Sequence, residues 1–266
     1  MSVITSTWVE RDGLLWSPLL ARYRVVAGFT TRAQGSMAAL GGSAPQPPGE
    51  PDDPARNRDA LARRLGFDEV ARVRQVHGNT VVRLDRAVEP WPEGDALWTD
   101  RAGVLLGVAA ADCVPILVVD PASGRIGAAH AGWQGTRLRV AQALVRALVG
   151  AGSRASALVA SIGPSIGPCC YSIDEARADL IGASGQGAHL RRGPGGTVAF
   201  DLWSANVAQL RDLGVESIEV SRICTLSGGM EHDLWSYRGR DRGGRYGTQL
   251  GFIGSGGRGP RERQLA

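Results

Sequence analysis

Two apolar runs, residues 114–120 and 125–131, flank the turn Pro121-Ala122-Ser123-Gly124. Short apolar stretches on either side of such a cluster specify a β-hairpin. Pairing Asp120 with Arg125 sets its register, placing Cys113 opposite Gly132 and His130 opposite Pro115. Residues 113 and 115 share a strand face, so Cys113 and His130 become diagonal neighbours with Cβ atoms within roughly 7–8 Å. A slip of one residue puts thiol and imidazole on opposite faces. The rest of the chain has to build a sheet that accommodates this pair.

Other segments supply that sheet. Alternation predicts strands within 7–16 and 23–30, then at 70–76, 80–84, 95–99, 103–110, 157–162 and 215–220. His77 sits where the strands of 70–76 and 80–84 meet, at His77-Gly78-Asn79, and strand ends are where exposed side chains do chemistry. Helices are expected over 55–65, capped by Asp53 with Pro54 in the first position, and over 136–148, whose apolar residues share one face. The second helix starts just after His130, so its amide groups and dipole face any anion bound there. The capping box Ser172-Ile173-Asp174-Glu175 starts a short helix near Ile173, and Asp201 caps another running to about Leu213. Gly- and Pro-rich residues 33–54 read as a mobile loop, 163–171 as a rigid turn, and 182–196 as exposed, with His189 facing solvent. Residues 254–266 read as a disordered tail behind a single catalytic domain at 1–253. Strands outnumber helices and come in runs, which is the α+β pattern.

Composition narrows the function classes. All 30 basic residues are arginine, and they are scattered, with a formal net charge of only +4. No basic helix or aromatic-interleaved patch marks a nucleic-acid binder, whereas a modest positive balance suits small anionic ligands. No apolar run reaches the roughly 18 residues of a membrane span. The first residues lack the pattern of a signal peptide, so a cytoplasmic location and free thiols are expected for Cys113, Cys169, Cys170 and Cys224.

His77, Cys113 and His130 therefore carry the candidate chemistry. Two imidazoles and a thiolate form a three-ligand set that suits Zn2+ and leaves a fourth position for water or substrate. Copper accepts the same ligands. The rival use is covalent, with Cys113 as nucleophile and a histidine as base, and a purely structural role stays open beside both.

Ordered motifs extend the reading: Arg74-Gln75-Val76-His77-Gly78, Gly94-Asp95-Ala96-Leu97, Ala111-Asp112-Cys113-Val114-Pro115, Ala129-His130-Ala131-Gly132-Trp133, Gly163-Pro164 to Cys169-Cys170-Tyr171, and Ser236-Tyr237-Arg238. Over about residues 25–253 they resemble the multicopper polyphenol oxidoreductase (laccase-like) family, also described as purine nucleoside phosphorylase or peptidoglycan editing factor. The resemblance implies a two-sheet mixed β core flanked by helices, in α/β/β/α-like layers. It also implies a metal on His77, Cys113 and His130, Zn2+ before copper. The implied activity is phosphorolysis of adenosine, inosine and methylthioadenosine, with deamination of adenosine. Arg32 and Arg58 match family arginines and become candidates for the phosphate or ribose side, while Gln75 and Asp112 flank the ligands and are candidates to orient substrate or metal. Other readings are a cell-wall-precursor editing amidase working through Cys113 or the metal, and a non-catalytic nucleoside- or metal-binding protein.

Two points set this chain apart. Residues 35–42 replace a longer family loop and lack its asparagine, which bears on specificity. The chain also has only four histidines, too few for a blue-copper site plus a trinuclear cluster, so true laccase chemistry is disfavoured.

Overall fold

The computed structural model describes residues 8–38, 53–229, 231–240 and 247–257. The chain starts with β1 (Val9–Arg11), β2 (Leu14–Trp16), β3 (Val25–Thr30), α1 (Pro54–Leu65), β4 (Val70–Ala71) and β5 (Val81–Arg83). The central block is β6 (Ala96–Thr99), β7 (Leu105–Ala110), β8 (Val114–Val119), β9 (Ile126–Ala131), α2 (Trp133–Arg137) and α3 (Val140–Gly150). Then follow β10 (Val159–Ile162), β11 (Ser172–Ile173), α4 (Glu175–Ile181), β12 (Leu190–Arg192) and β13 (Val198–Phe200). The last described elements are α5 (Leu202–Asp212), β14 (Ser217–Val220) and β15 (Gln249–Ser255).

Two six-stranded mixed sheets form the body, ordered β1-β2-β3-β15-β7-β4 and β14-β10-β8-β9-β6-β5, beside a small sheet β11-β13-β12. Strand β8 is apolar along its whole length because it is buried on both faces. Leu117 and Val119 point between the sheets, against Leu106, Val108 and Ile253. Ile116 and Val118 point the other way, onto Leu144 and Leu148 of α3 and Leu210 of α5. On the far side Leu61 and Leu65 of α1 cover Leu105, Leu250 and Phe252. The order is helix, sheet, sheet, helix, as the resemblance implies.

The hairpin has the register read from the sequence: Pro115 pairs with His130 and Val114 with Ala131. Helix α1 keeps its expected ends, with the Asp53 side chain accepting from Ala55 N and Gly66 closing it in the left-handed region at φ 82°.

Several expectations change. Residues 7–16 do not form one strand: Asp12 and Gly13, at φ 53° and 71°, turn β1 back onto β2. The strand expected over 70–76 ends at Ala71. The helix expected over 136–148 is broken at Arg139, which has φ 64°. Side-chain amides cause the break: Gln186 and Gln209 donate to Thr136 O at 3.0 and 2.7 Å, and Gln186 reaches Arg137 O at 3.3 Å. Those carbonyls are thereby satisfied without a continuing helix. Ser172 and Ile173 are strand rather than helix, because Asp174 takes the cap and accepts from Arg177 N. His189 is half-buried, its Nδ1 2.8 Å from Ser204 Oγ, rather than solvent-facing. Strand β15 runs through Ser255, past the expected start of the tail, and 258–266 lie outside the described residues. Residues 39–52 of the expected mobile loop also lie outside them, but its start is pinned, with Met37 N and Ala38 N donating to Thr248 O and Oγ1.

Candidate metal centre

Cys113 follows Asp112, whose backbone turns sharply at φ 84° between β7 and β8. The Asp112 carboxylate holds that turn, accepting from Thr225 Oγ1 at 2.6 Å and from Arg238 N at 2.7 Å. Such a conformation is costly for a residue with a Cβ and persists where surrounding bonds impose it. His130 comes from β9. Its neighbours of like parity, Ala128 and Ile126, lie in the layer between the sheets, so its ring points into the same layer at the sandwich end.

Pro115 in this central strand fits the geometry. His130 N donates away from it, to Asp95 O at 2.7 Å, so the pair Pro115–His130 is not hydrogen-bonded. Such pairs hold side chains closest together. Pro115 O instead accepts from Gly163 N, where β10 has already ended, so the N–H that proline lacks has no strand opposite it.

His77 is itself at φ 60°. Its loop is held by Asp95, which is fully buried and accepts from Val76 N at 3.2 Å, His77 N at 3.0 Å and Gly78 N at 2.6 Å. The same carboxylate lies 3.0 Å from His130 Nδ1. Burial opposes its charge, but the bonds from His130 and from the Gly78 and Val76 amides hold its carboxyl below the ordinary range. An ionised Asp95 accepts from Nδ1–H, which leaves Nε2 of His130 for the other side of the ring. Asp95 thus couples both histidines. In the sequence Asp95 stands within Gly94-Asp95-Ala96-Leu97 with nothing nearby to mark its role; the available signal is a carboxylate two residues from Leu97, on the strand face that enters the layer between the sheets.

The ligand atoms of His77, Cys113 and His130 all lie within 4.8 Å of one another. The two rings meet edge to face, with centroids 4.9 Å apart. Burial works against a Cys113 thiolate, yet the charge and hydrogen bond of His130 and the bond of His77 bring the thiol down to about 6. His130 moves the opposite way against its burial, chiefly because of the Cys113 charge and Asp95. The two behave as a thiolate–imidazolium pair when no ion is present. Gly132 makes room for them: a Cβ there would stand 2.8 Å from Cys113 Sγ and 3.2 Å from His77 Cδ2. Tyr171 closes another side. Burial, then the charge of Cys113, pushes its phenol above the usual range, and the Arg238 guanidinium lies 5.3 Å over its ring.

The remaining candidates are placed as follows. Gln75 spends its side chain on the end of β7, donating to Ala109 O and accepting from Ala109 N, both at 2.8 Å. Asp112 is engaged as described, so both residues direct their bonds into the protein. Arg32 lies 4.6 Å over Trp235 and donates to Leu234 O, remaining 39% exposed. Arg58 and Arg72 both donate to Met37 O and lie 5.2 and 4.5 Å over Trp91. The other two histidines are elsewhere, His189 on Ser204 and His232 at 3.6 Å from Glu10. One cluster with two imidazoles cannot furnish the histidine-rich copper centres of a laccase.

The family described as "Multi-copper polyphenol oxidoreductase laccase" matches residues 26–255. A "Purine nucleoside phosphorylase" of Deinococcus radiodurans is 42% identical, over 86% of this chain and 88% of its own. "Purine nucleoside phosphorylase ORF3" of Streptomyces griseus is 39% identical, over 80% and 88%. Among solved structures, YlmD from Geobacillus stearothermophilus superposes with a TM-score of 0.78 at 32% identity, covering 93% of this chain and 98% of that one.

Proposed function

The chain belongs to the multi-copper polyphenol oxidoreductase laccase family, and we propose that it is a metal-dependent enzyme of purine nucleosides, acting by phosphorolysis. The relatives named purine nucleoside phosphorylase support this reading. The observation that carries it is the convergence of His77, Cys113 and His130 within 4.8 Å. Ions bound at about 2.0–2.1 Å from nitrogen and about 2.3 Å from sulfur need such donor spacings. The residues fit Zn2+, with copper as the alternative ion, and such an ion, when bound by His77, Cys113 and His130, would supply Lewis-acid chemistry.

This chain's own residues do the rest. Asp95 keeps the His130 proton on Nδ1 and clamps the His77 loop, so both rings arrive oriented before any ligand binds. Gln75 and Asp112 act as positioning residues for the segments that carry His77 and Cys113. Arg32, the more exposed guanidinium, takes the phosphate side, and Arg58 the ribose side. Phosphate attacks C1′ of the nucleoside as the bond to the purine nitrogen breaks, leaving sugar 1-phosphate and free base. Adenosine, inosine and methylthioadenosine are the proposed substrates, and deamination of adenosine uses the same centre. The protein works in the cytoplasm, whose reducing conditions keep its four free cysteines as thiols.

Metal-replete protein is expected to release free base from adenosine and inosine only when phosphate is present, and Cys113→Ala is expected to lose metal and turnover together. Replete protein converting neither nucleoside would sink the proposal. The low-lying Cys113 thiol keeps a thiol-based amidase as the second reading. Activity that survives chelation but not alkylation of Cys113 would select it.

A further inference from the structure

A second group of soft ligands lies outside this centre. Cys169, Cys170 and Cys224 place their sulfur atoms within 4.8 Å of one another, with Cys169 Sγ 3.6 Å from Cys170 Sγ. Chain pairing brings them together. Ser165 bridges the segment at Cys224, with Ser165 N donating to Ile223 O and Thr225 N to Ser165 O. The turn that follows is tightened by Cys170 N and Tyr171 N, both donating to Gly167 O at 3.0 Å. Gly167 has no room for a side chain, since a Cβ would stand 2.7 Å from Trp203 and 3.3 Å from Cys169 Sγ.

A separate observation shows that the inner sulfur is prepared for negative charge. Cys224 is 6% exposed, yet Gly167 N–H donates to its Sγ at 3.2 Å. The Ser227 hydroxyl and the Ser227 and Leu226 amides also face that sulfur. Amides pointed at a sulfur stabilise a thiolate, the form that binds metal. The outer sulfur of Cys169 is exposed, and an open cavity lined by Cys169, Cys170, Arg191 and Arg192 gives access.

We propose that Cys169, Cys170 and Cys224 form a second metal site, specific for a soft monovalent ion, Cu(I), and independent of the His77–Cys113–His130 centre. Three sulfurs bonded at about 2.3 Å to one ion stand about 4 Å apart, within the span observed. Ligand softness and number together make the choice: three thiolates suit a soft, three-coordinate Cu(I), whereas structural Zn2+ sites take four ligands. Each thiol that ligates gives its proton to solvent, and the ion does not change oxidation state.

The test uses the full chain, reduced and stripped of metal. Cu(I) is titrated anaerobically against a chromophoric Cu(I) chelator, with absorbance and reactive thiols followed in parallel. Cys113→Ser is expected to keep one tight Cu(I) equivalent, with thiolate-to-copper absorbance and loss of its remaining reactive thiols. In the Cys113→Ser background, Cys169→Ser changes only an exposed side chain and is expected to weaken that equivalent at least tenfold; Cys169→Ser combined with Cys224→Ser in the same background is expected to abolish it. Loss of the equivalent in Cys113→Ser, or its retention with unchanged affinity when Cys169→Ser is added to Cys113→Ser, overturns the site. Zn2+ displacing Cu(I) from the three thiols overturns the ion assignment.

Discussion

At the scale of single residues, Asp95 gives the sharpest prediction. Replacing it with Asn turns one carboxylate oxygen into a donor facing the amides of Val76, His77 and Gly78. Asp95→Asn is expected to lose about 10–100-fold in metal affinity, read by competition with a chromophoric chelator; unchanged affinity would remove Asp95 from the centre. Gly132→Ala tests the space instead of the charge. Its methyl meets Cys113 Sγ and His77 Cδ2, so a folded protein with at least tenfold weaker metal binding is expected, checked by circular dichroism beside the same competition. Cys113 and His130 were legible because hairpin pairing is local arithmetic on the sequence. Asp95 was not, because its partners come from two separated segments, 76–78 and the end of β9, and no spacing rule connects them.

Secondary elements show the same division. The hairpin, the capped helix at 54–65 and most strands follow from period and turn chemistry. The helix broken at Arg139 does not, because the amides that stop it come from Gln186 and Gln209, far along the chain. Another long-range device is Glu219 on β14, fully buried, accepting from Ser17 Oγ and Ser161 Oγ at 2.6 Å and from Leu19 N at 3.0 Å. It ties the segment after β2 to the opposite sheet. Glu219→Ala leaves these donors without their acceptor and is expected to cost about 3 kcal/mol, measured by urea unfolding. A loss below about 1 kcal/mol would mean that water takes over the bonds.

Over the whole molecule, metal and fold are linked. The three ligands come from the 74–78 loop, the start of β8 and the end of β9, so an ion holding all three binds the native state alone. At a thousandfold excess over its dissociation constant this stabilises by about 4 kcal/mol, or about 8–16 °C in melting temperature for a domain of this size. Calorimetry before and after chelation should show the drop in wild type and not in Cys113→Ala. The α+β class was readable because strands outnumber helices and come in runs, and the layered two-sheet core came from the family resemblance. The sheet order was not, since a pairing between distant strands leaves no periodic trace.

One such pairing concerns how the chain is made. β15 lies between β3 and β7 and bonds to both. On the ribosome, β3 and β7 emerge long before residues 249–255, and until then each presents an unpaired apolar edge. The first sheet can close only once residues 249–255 are available, so a chain truncated before Gln249 should be a chaperone client rather than a smaller folded protein. Its strand-edge exposure, read by the protease sensitivity of released chains truncated at successive positions, should vanish once Gln249–Ser255 are included.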